Sequence, residues 1–163
     1  MALVDSVKTL SRYKAWSNKA LFSKLTSTPN IEKMKDLQVI VSTLNHAYVV
    51  DCIFKAHLEK EPHQFTDVNT SPLPSLSQLN HSVSEIDKWY VGYTDTVTND
   101  ELEECLEFQL TSGEQASMLR SEILFHVVNH GTYHRGNVGV LMLQNSISPD
   151  KDVITDFLRS ENV

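Results

Sequence analysis

Residues 118–144 read MLRSEILFHVVNHGTYHRGNVGVLMLQ, a helical pattern that is apolar on most of its sides. A helix that is apolar all round belongs at the centre of a bundle or against a second subunit. Its middle carries three histidines, His126, His130 and His134, at intervals of four residues. This stretch therefore indicates both the class of fold and the region in which a functional site should be sought.

The rest of the chain predicts further helices around this central one. Five prolines separate the segments, and helix interiors should lie between them because proline cannot donate a backbone hydrogen bond. Apolar residues recur every three or four positions in the helical segments, whereas 101–117 alternates with a period near two. The first half of the chain predicts a helix over 2–27, a second helix over 31–60 and a loop over 61–74. A third helix follows, capped by Ser75 and Gln78, and then a hairpin within 101–117, for which a short helix is the alternative. The last predicted elements are the helix over 118–144 and a helix from Ser148-Pro149 to about Arg159. This order predicts an all-α, antiparallel four-helix bundle with a small hairpin insert and a short C-terminal helix.

Composition limits the classes of function. The 163 residues, taken as a single domain over 1–163, carry 14 Lys and Arg against 21 Asp and Glu, a net charge of −7. A nucleic-acid partner is therefore not expected, because phosphate binding needs clustered positive charge. We find no run of about 18 apolar residues, no signal-peptide pattern and no disulfide framework between Cys52 and Cys105. We expect a cytoplasmic protein without a membrane partner.

The histidine spacing suggests a metal site but does not complete one. Residues four apart share a helix face and are about 6 Å apart along the axis, so one ion could bind His126 with His130, or His130 with His134, but not all three. A third ligand would have to come from a facing helix. His46 and His81 are the candidates within helices, and His57 and His63 rank lower. The alternative is that these histidines are buried and simply hydrogen-bonded.

Glycine gives a second indication in the same helix. Gly131, Gly136 and Gly139 lie within nine residues, although each costs about 1 kcal/mol relative to alanine in a helix interior. The missing side chains could leave room for a ligand or a close helix crossing, or the segment could be partly unwound. The sequence contains no GxSxG, HExxH or glycine-rich phosphate loop, and we interpret Cys52 as a buried thiol rather than a nucleophile.

Four motifs in the correct order resemble the DinB-like (damage-inducible, YfiT-type) family of four-helix-bundle metalloenzymes. The segment from His126 to Asn137 is the most specific, and it departs from the common pattern only at Tyr133 and Asn137, neither of which is a ligand in the family. The four matching segments are Tyr13-Lys-Ala-Trp16-Ser-Asn18, Leu44-Asn-His46-Ala-Tyr-Val-Val-Asp51, His126 to Asn137, and Pro149 to Leu158 with Asp152 and Phe157-Leu158.

The resemblance implies that His46, His130 and His134 bind a divalent metal, with His126 as a neighbour. Asp51 and Arg135 are candidates for groups just outside the ligands, and the alternative is that they pair with other helices or with solvent. Three neutral imidazoles suit Zn²⁺ or Ni²⁺ and leave coordination positions open. Relatives of this kind are assigned thiol-dependent transfers, so we expect an S-transferase of detoxification or stress response that uses a low-molecular-weight thiol and a small-molecule substrate. The alternatives are a metal-dependent hydrolase, or a metal-binding stress or interaction protein without catalysis. The resemblance also implies a homodimer.

Overall fold

The computed structural model describes residues 2–161, which form six helices and one β-hairpin. The all-α class with a small hairpin insert is confirmed. The elements are α1 (Leu3–Ser27), a 3₁₀ turn (Ile31–Lys33), α2 (Leu37–Glu59), α3 (Leu76–Thr96), α4 (Asn99–Leu102), β1 (Cys105–Gln109), β2 (Gln115–Leu119), α5 (Arg120–Gln144) and α6 (Ile154–Glu161). The strands pair antiparallel with Phe108 opposite Ala116.

Two separate apolar clusters hold the four long helices together. The hairpin-side cluster includes Val7, Val50, Phe54, Leu58, Ile86, Tyr90, Leu106, Phe108, Ile123, Leu124 and Val127. The far-side cluster includes Leu21, Phe22, Leu25, Ile40, Val41, Leu44, Leu79, Val83, Val138 and Met142. The bundle therefore has two apolar ends, and every long helix contributes to both.

Membership of these clusters gives the direction of each helix. α1 and α5 begin in the hairpin-side cluster and end in the far-side cluster, whereas α2 and α3 run the opposite way. Each long helix thus has an antiparallel neighbour, since α1 packs on α3 and α2 packs on α5. Because α2 and α3 point the same way, residues 60–75 must cross back along the bundle between them. This connection passes the middle of α2, where it contributes to the site.

A polar layer separates the two apolar clusters. Its buried polar and charged side chains come from all four long helices, and they sit midway along each helix. They are Lys14 and Asn18 of α1, Asp51 of α2, Asp87 of α3 and Arg135 of α5. Buried charges are stable only when they are paired and hydrogen-bonded, so this layer should contain a defined network.

Local signals predicted some boundaries correctly and others wrongly. The capping box is confirmed, because Ser75 Oγ accepts a hydrogen bond of 3.2 Å from the Gln78 amide and the Ser75 amide donates one of 2.9 Å to Gln78 Oε1. The hairpin predicted within 101–117 is confirmed, and a short helix, α4, directly precedes it. The helix over 118–144 begins at Arg120 because Met118 and Leu119 belong to β2.

Two other predicted helix starts are wrong. The second helix begins at Leu37 rather than at residue 31, since the extended backbone of Met34 follows the 3₁₀ turn and separates it from α2. The last helix begins at Ile154 rather than at Pro149. The last helix starts late because the Asp152 side chain accepts hydrogen bonds from α1 and α5, which keep this segment out of a helix.

α2 is long and apolar enough to cross a membrane by length and composition alone, although polar residues interrupt its apolar stretch. Half of its most apolar window is buried against the rest of the bundle. This is the burial expected of a core helix, and α2 contributes to both apolar clusters.

Candidate metal centre

Three imidazoles from two helices converge in the middle of the bundle. His46 Nε2 of α2 lies 3.2 Å from His130 Nε2 of α5, and His134 Nε2 lies 3.0 Å from the same atom. His130 and His134 are one helical turn apart, so α5 presents both rings on the face that packs against α2. All three side chains are half-buried. The structure thus brings together one of the two histidine pairs that the spacing allowed and one of the two candidate partners.

The crossover connection fixes the orientation of the His46 ring. His46 Nδ1 lies 2.9 Å from the backbone carbonyl oxygen of Val68, which can only accept a hydrogen bond. Nδ1 therefore carries the proton and donates it, and Nε2 of the neutral ring keeps its lone pair toward the other two imidazoles. A carbonyl behind a histidine in this way is the usual partner of a metal-binding imidazole.

The donor set fits a metal ion. An ion with metal–nitrogen bonds of about 2.0–2.1 Å separates neighbouring nitrogens by about 2.9–3.4 Å, which matches the distances between the Nε2 atoms. Hydrogen bonds between the rings cannot satisfy all three nitrogens, because His130 Nε2 has two nitrogen neighbours and at most one proton to donate. The Nδ1 atoms of His130 and His134 are buried and have no hydrogen-bond partner within residues 2–161.

Electrostatics favours neutral rings at this site. Burial, together with the nearby His134 and His46 rings, lowers the pKa of His130 to about 3. Burial and His46 also lower the pKa of His134. Since metal binding requires an unprotonated nitrogen, these side chains are ready to bind an ion without first losing a proton at neutral pH.

Aromatic side chains flank the three imidazoles. The His126 ring stacks on His130 with centroids 5.4 Å apart, and the Phe54 ring packs against His126 with centroids 4.8 Å apart. The Tyr133 ring lies 5.0 Å from His134 and is 65% exposed. His126 and Tyr133 therefore form the exposed rim of the site, while His126 takes no part in the group of converging nitrogens.

The remaining candidate residues lie elsewhere. His57 and His63 pack against each other with ring centroids 5.3 Å apart, and His57 stacks on Phe108 of the hairpin. His81 is exposed on α3. Cys52 is partly buried, and burial raises the pKa of its thiol to about 11, which agrees with a thiol that is not a nucleophile. In the described part of the chain, only His46, His130 and His134 form a group able to hold a metal ion.

Comparison with known proteins identifies the family of this chain. The family model described as the DinB family matches residues 3–160, nearly the whole chain. The chain belongs to the DinB family.

Two relatives are consistent with this assignment. Protein DinB of Bacillus subtilis (strain 168) is 23% identical over 150 residues, which are 86% of this chain and 86% of that protein. The crystal structure of a DinB-like protein from Bacillus cereus has a TM-score of 0.60 at 16% identity, and the match covers 91% of this chain and 94% of that one. The structural similarity supports the DinB-like fold, whereas the chemistry has to be argued from this chain's own residues.

Next to the imidazoles, this DinB-family chain carries a buried ion network. Lys14 Nζ lies 2.7 Å from Asp51 Oδ2 and 2.6 Å from Asp87 Oδ1, and all three side chains are almost fully buried. Burial lowers the pKa of Lys14, but the two carboxylates outweigh this effect and the net shift is upward. Burial raises the pKa of Asp51 to about 6, so this carboxylate is still ionised at neutral pH.

A second network joins α5 to the residues before α6. Arg135 Nε donates to Asp152 Oδ2 at 2.7 Å, and Nη1 of the same side chain donates to Asn18 at 3.1 Å. Tyr13 and Ser17 both donate to Asp152 Oδ1. Burial would raise the pKa of Asp152, but these hydrogen bonds and the Arg135 charge lower it overall. Neither Arg135 nor Asp51 hydrogen-bonds an imidazole directly.

Sequence reasoning missed Lys14 and Asp87. Apolar residues recur along α1 at steps of three or four, but Leu10 and Trp16 in this series are only half-buried, while the fully buried positions include Lys14. A signal was present, because Lys14 lies seven residues after the buried Val7 and seven before the buried Leu21, on the same helix face. A lysine in register with two core residues points to a buried ion pair.

The glycines differ in their surroundings. A Cβ at Gly131 would lie 3.2 Å from Arg135 Nη1 and 3.5 Å from Lys14 Cε, whereas a Cβ at Gly136 would meet nothing within 4 Å. α5 is continuous from Arg120 to Gln144, so the segment is not unwound. Only Gly131 allows the close approach of a neighbouring helix beside the imidazoles.

Proposed function

We propose that this DinB-family chain is a divalent-metal-dependent enzyme that transfers a low-molecular-weight thiol to an electrophilic small molecule. The observation that carries the proposal is the convergence of three imidazole Nε2 atoms, 3.0 and 3.2 Å apart, with no carboxylate or thiolate among them. Three neutral ligands do not neutralise the charge of a divalent ion, and they leave coordination positions open. This combination is typical of catalytic rather than structural sites.

Each residue has a separate task in this proposal. His46, His130 and His134 would hold Zn²⁺ or Ni²⁺, and the Val68 carbonyl keeps the His46 ring in position. A divalent ion held there would stabilise the thiolate form of a bound thiol. Tyr133, which lies on the exposed side of His134, offers a hydroxyl group and an apolar ring to the incoming molecules.

The overall reaction is balanced without an external oxidant or reductant. The thiol sulfur forms a bond to an electrophilic carbon, and the S–H proton is released. A leaving group departs with its bonding electrons, or, for addition to a double bond, the neighbouring carbon takes up a proton. Such a transfer removes reactive electrophiles, which supports a role in detoxification or stress response. The thiols concerned are kept reduced in the cytoplasm, so we also propose a cytoplasmic location.

The first test is the metal content and activity of untagged protein purified without chelator. We expect about one divalent ion per chain by elemental analysis, and turnover of an activated aryl halide or an α,β-unsaturated acid with glutathione, mycothiol or bacillithiol. His130→Ala should lose the ion and the activity. His81→Ala is the matched control, because it removes an exposed histidine from another bundle helix and should retain both.

The possible outcomes separate the alternatives. A metal content well below one ion per chain contradicts the proposal. Ester or amide hydrolysis without added thiol would instead identify a metal-dependent hydrolase. If His130→Ala fails to fold, the ion has a structural role, and a loaded protein without any turnover would favour a metal-binding stress or interaction protein.

We further propose that the chain forms a homodimer through the outer face of α5. Four large apolar side chains of this helix are exposed, and they recur along one side of it. They are Phe125, Tyr133, Val140 and Leu143. A second copy would remove this apolar surface from water, and Tyr133 would then place the rim of the metal centre close to the interface.

A further inference from the structure

A small cavity lies next to the metal centre, among mostly buried residues of the four long helices. Its volume is about 20 Å³, and Lys14, Asp51, Gly131 and His134 are among the residues that line it. A cavity needs roughly 10–15 Å³ of this kind of volume to hold one water molecule. The space therefore has the size of a single water molecule and lies between the buried ion network and one of the converging imidazoles.

Two polar atoms of the lining residues need a partner. Asp51 Oδ1 and His134 Nδ1 are both buried, and neither has a hydrogen-bond partner in the part of the chain that the structure describes. The Asp51 residue is only 3% exposed, and its other oxygen is already engaged by Lys14. An unsatisfied buried polar atom is costly, and polar cavities of this size normally contain ordered water.

The two atoms have complementary roles toward such a molecule. His134 Nε2 faces the other imidazoles, so when it binds a metal the ring proton must be on Nδ1, which is then a donor. Asp51 Oδ1 is an acceptor. A water molecule can accept the Nδ1 proton and donate one of its own to the carboxylate.

We propose that one buried water molecule links Asp51 Oδ1 to His134 Nδ1, which makes Asp51 a positioning residue for the metal centre. This inference rests on the proposed function only in so far as the three histidines bind a metal. The carboxylate then acts through water as the Val68 carbonyl acts directly on His46: it fixes the ring and increases the basicity of its Nε2.

Gly131 gives independent support. It lines the cavity, and a Cβ at this position would approach Lys14 Cε and Arg135 Nη1 within 3.5 and 3.2 Å. A side chain at Gly131 would therefore crowd Lys14 and Arg135, which line the same cavity. This explains why a residue unfavourable in a helix interior stands one position after a ligand.

The test compares Asp51→Asn with Asp87→Asn. Both variants remove one carboxylate from the same Lys14 ammonium, but Asp87 does not line the cavity and both of its oxygens already have partners. Affinity for Ni²⁺ and Zn²⁺ is measured by competition with a chromophoric chelator, and the Co²⁺ visible spectrum reports ligand geometry. We expect Asp51→Asn to weaken affinity about 10- to 100-fold and to shift the Co²⁺ bands, with little change for Asp87→Asn.

Gly131→Ala is the second variant, in case Asp51→Asn does not fold. Its Cβ would lie 3.2 Å from Arg135 Nη1 and 3.5 Å from Lys14 Cε, which a shift of a few tenths of an ångström relieves, so the fold should be retained while the cavity is reduced, and affinity should fall in the same direction. Equal affinities for Asp51→Asn, Gly131→Ala and wild type would overturn the inference, as would a crystal structure with an empty cavity. A wild-type chain that binds no metal would instead refute the proposed function.

Discussion

The Arg135 guanidinium donates to the Asp152 carboxylate at 2.7 Å, although the two residues belong to different parts of the fold. Arg135 is in α5, next to His134, and its side chain is only 3% exposed. Asp152 precedes α6 and also accepts hydrogen bonds from Tyr13 and Ser17 of α1. This carboxylate therefore ties the C-terminal segment to two long helices and satisfies a buried cation beside the metal centre.

Asp152→Asn should destabilise the fold by about 3 kcal/mol, because it removes the charge that balances the buried Arg135. The measurement is urea unfolding of the metal-free protein. Asp150→Asn is the control, since Asp150 is exposed two residues earlier in the same segment and should change stability by less than about 0.5 kcal/mol. Equal effects of the two substitutions would mean that Arg135 finds other partners.

The features that could be predicted from the sequence depend on residues close together in the chain. The capping box of Ser75, the two-residue period of the hairpin and the spacing of His130 and His134 are all local patterns. The four-helix bundle follows from them because the predicted helices have apolar faces to bury and the helix over 118–144 is apolar on most of its sides. The choice of His46 rather than His81 as the third imidazole came only from the family resemblance.

The features that could not be predicted depend on partners far apart in the chain. Asp152 lies outside a helix because Arg135 and Tyr13 bind it, and no local pattern in the last segment indicates this. Lys14 resembles a solvent-exposed lysine until the positions of Asp51 and Asp87 are known. The shared direction of α2 and α3 likewise depends on how the 60–75 connection crosses the bundle.

Metal should stabilise the wild-type chain in proportion to its free concentration. With an ion at about 100 times its dissociation constant, the free energy of unfolding should rise by about 2.7 kcal/mol. Thermal unfolding with and without chelator measures this effect. His134→Ala should abolish the metal-dependent increase, whereas His126→Ala should retain it, because His126 stacks on His130 without joining the converging nitrogens. A metal-dependent increase that survives in His134→Ala would contradict the ligand assignment.

His57 should make stability depend on pH between about 6.5 and 4. Burial, with a smaller effect of His63, lowers the pKa of His57 to about 4, while an unfolded chain protonates histidine near about 6.5. As the pH falls through this window the unfolded state binds the proton first, so stability is fully present above pH 6.5 and is lost toward pH 4.

His57→Phe keeps a ring stacked on Phe108 but cannot take up a proton. In metal-free protein, the unfolding free energy of this variant should therefore fall less steeply than that of the wild type between pH 6.5 and 4. The two slopes should differ by at most the contribution of one bound proton. The difference in unfolding free energy between variant and wild type at pH 7.5, above this window, measures the effect of the substitution on packing. Parallel curves across this range would show that His57 protonates equally easily in both states.

The proposed dimer should dissociate when charge is placed on the outer face of α5. Leu143, which is 60% exposed, is the clearest position, and Leu143→Glu should give a monomer in analytical ultracentrifugation. Val39→Glu is the matched control, because Val39 is 52% exposed on α2 and lies outside the proposed interface. A monomeric wild-type chain would contradict the proposal directly, and loss of the dimer in Val39→Glu alone would move the interface to α2.

Lys14→Met should destabilise the chain more than any of the surface substitutions above. It leaves the Asp51 and Asp87 carboxylates buried without their shared cation, and breaking a buried pair in this way costs about 3–5 kcal/mol. Lys19→Met is the control on the same helix, since Lys19 is exposed. Because the two orphaned carboxylates cause the loss, adding Asp51→Asn and Asp87→Asn to Lys14→Met should recover much of the lost stability in urea unfolding. If the triple variant is no more stable than Lys14→Met, the loss comes from packing of the lysine stem rather than from the unpaired charges.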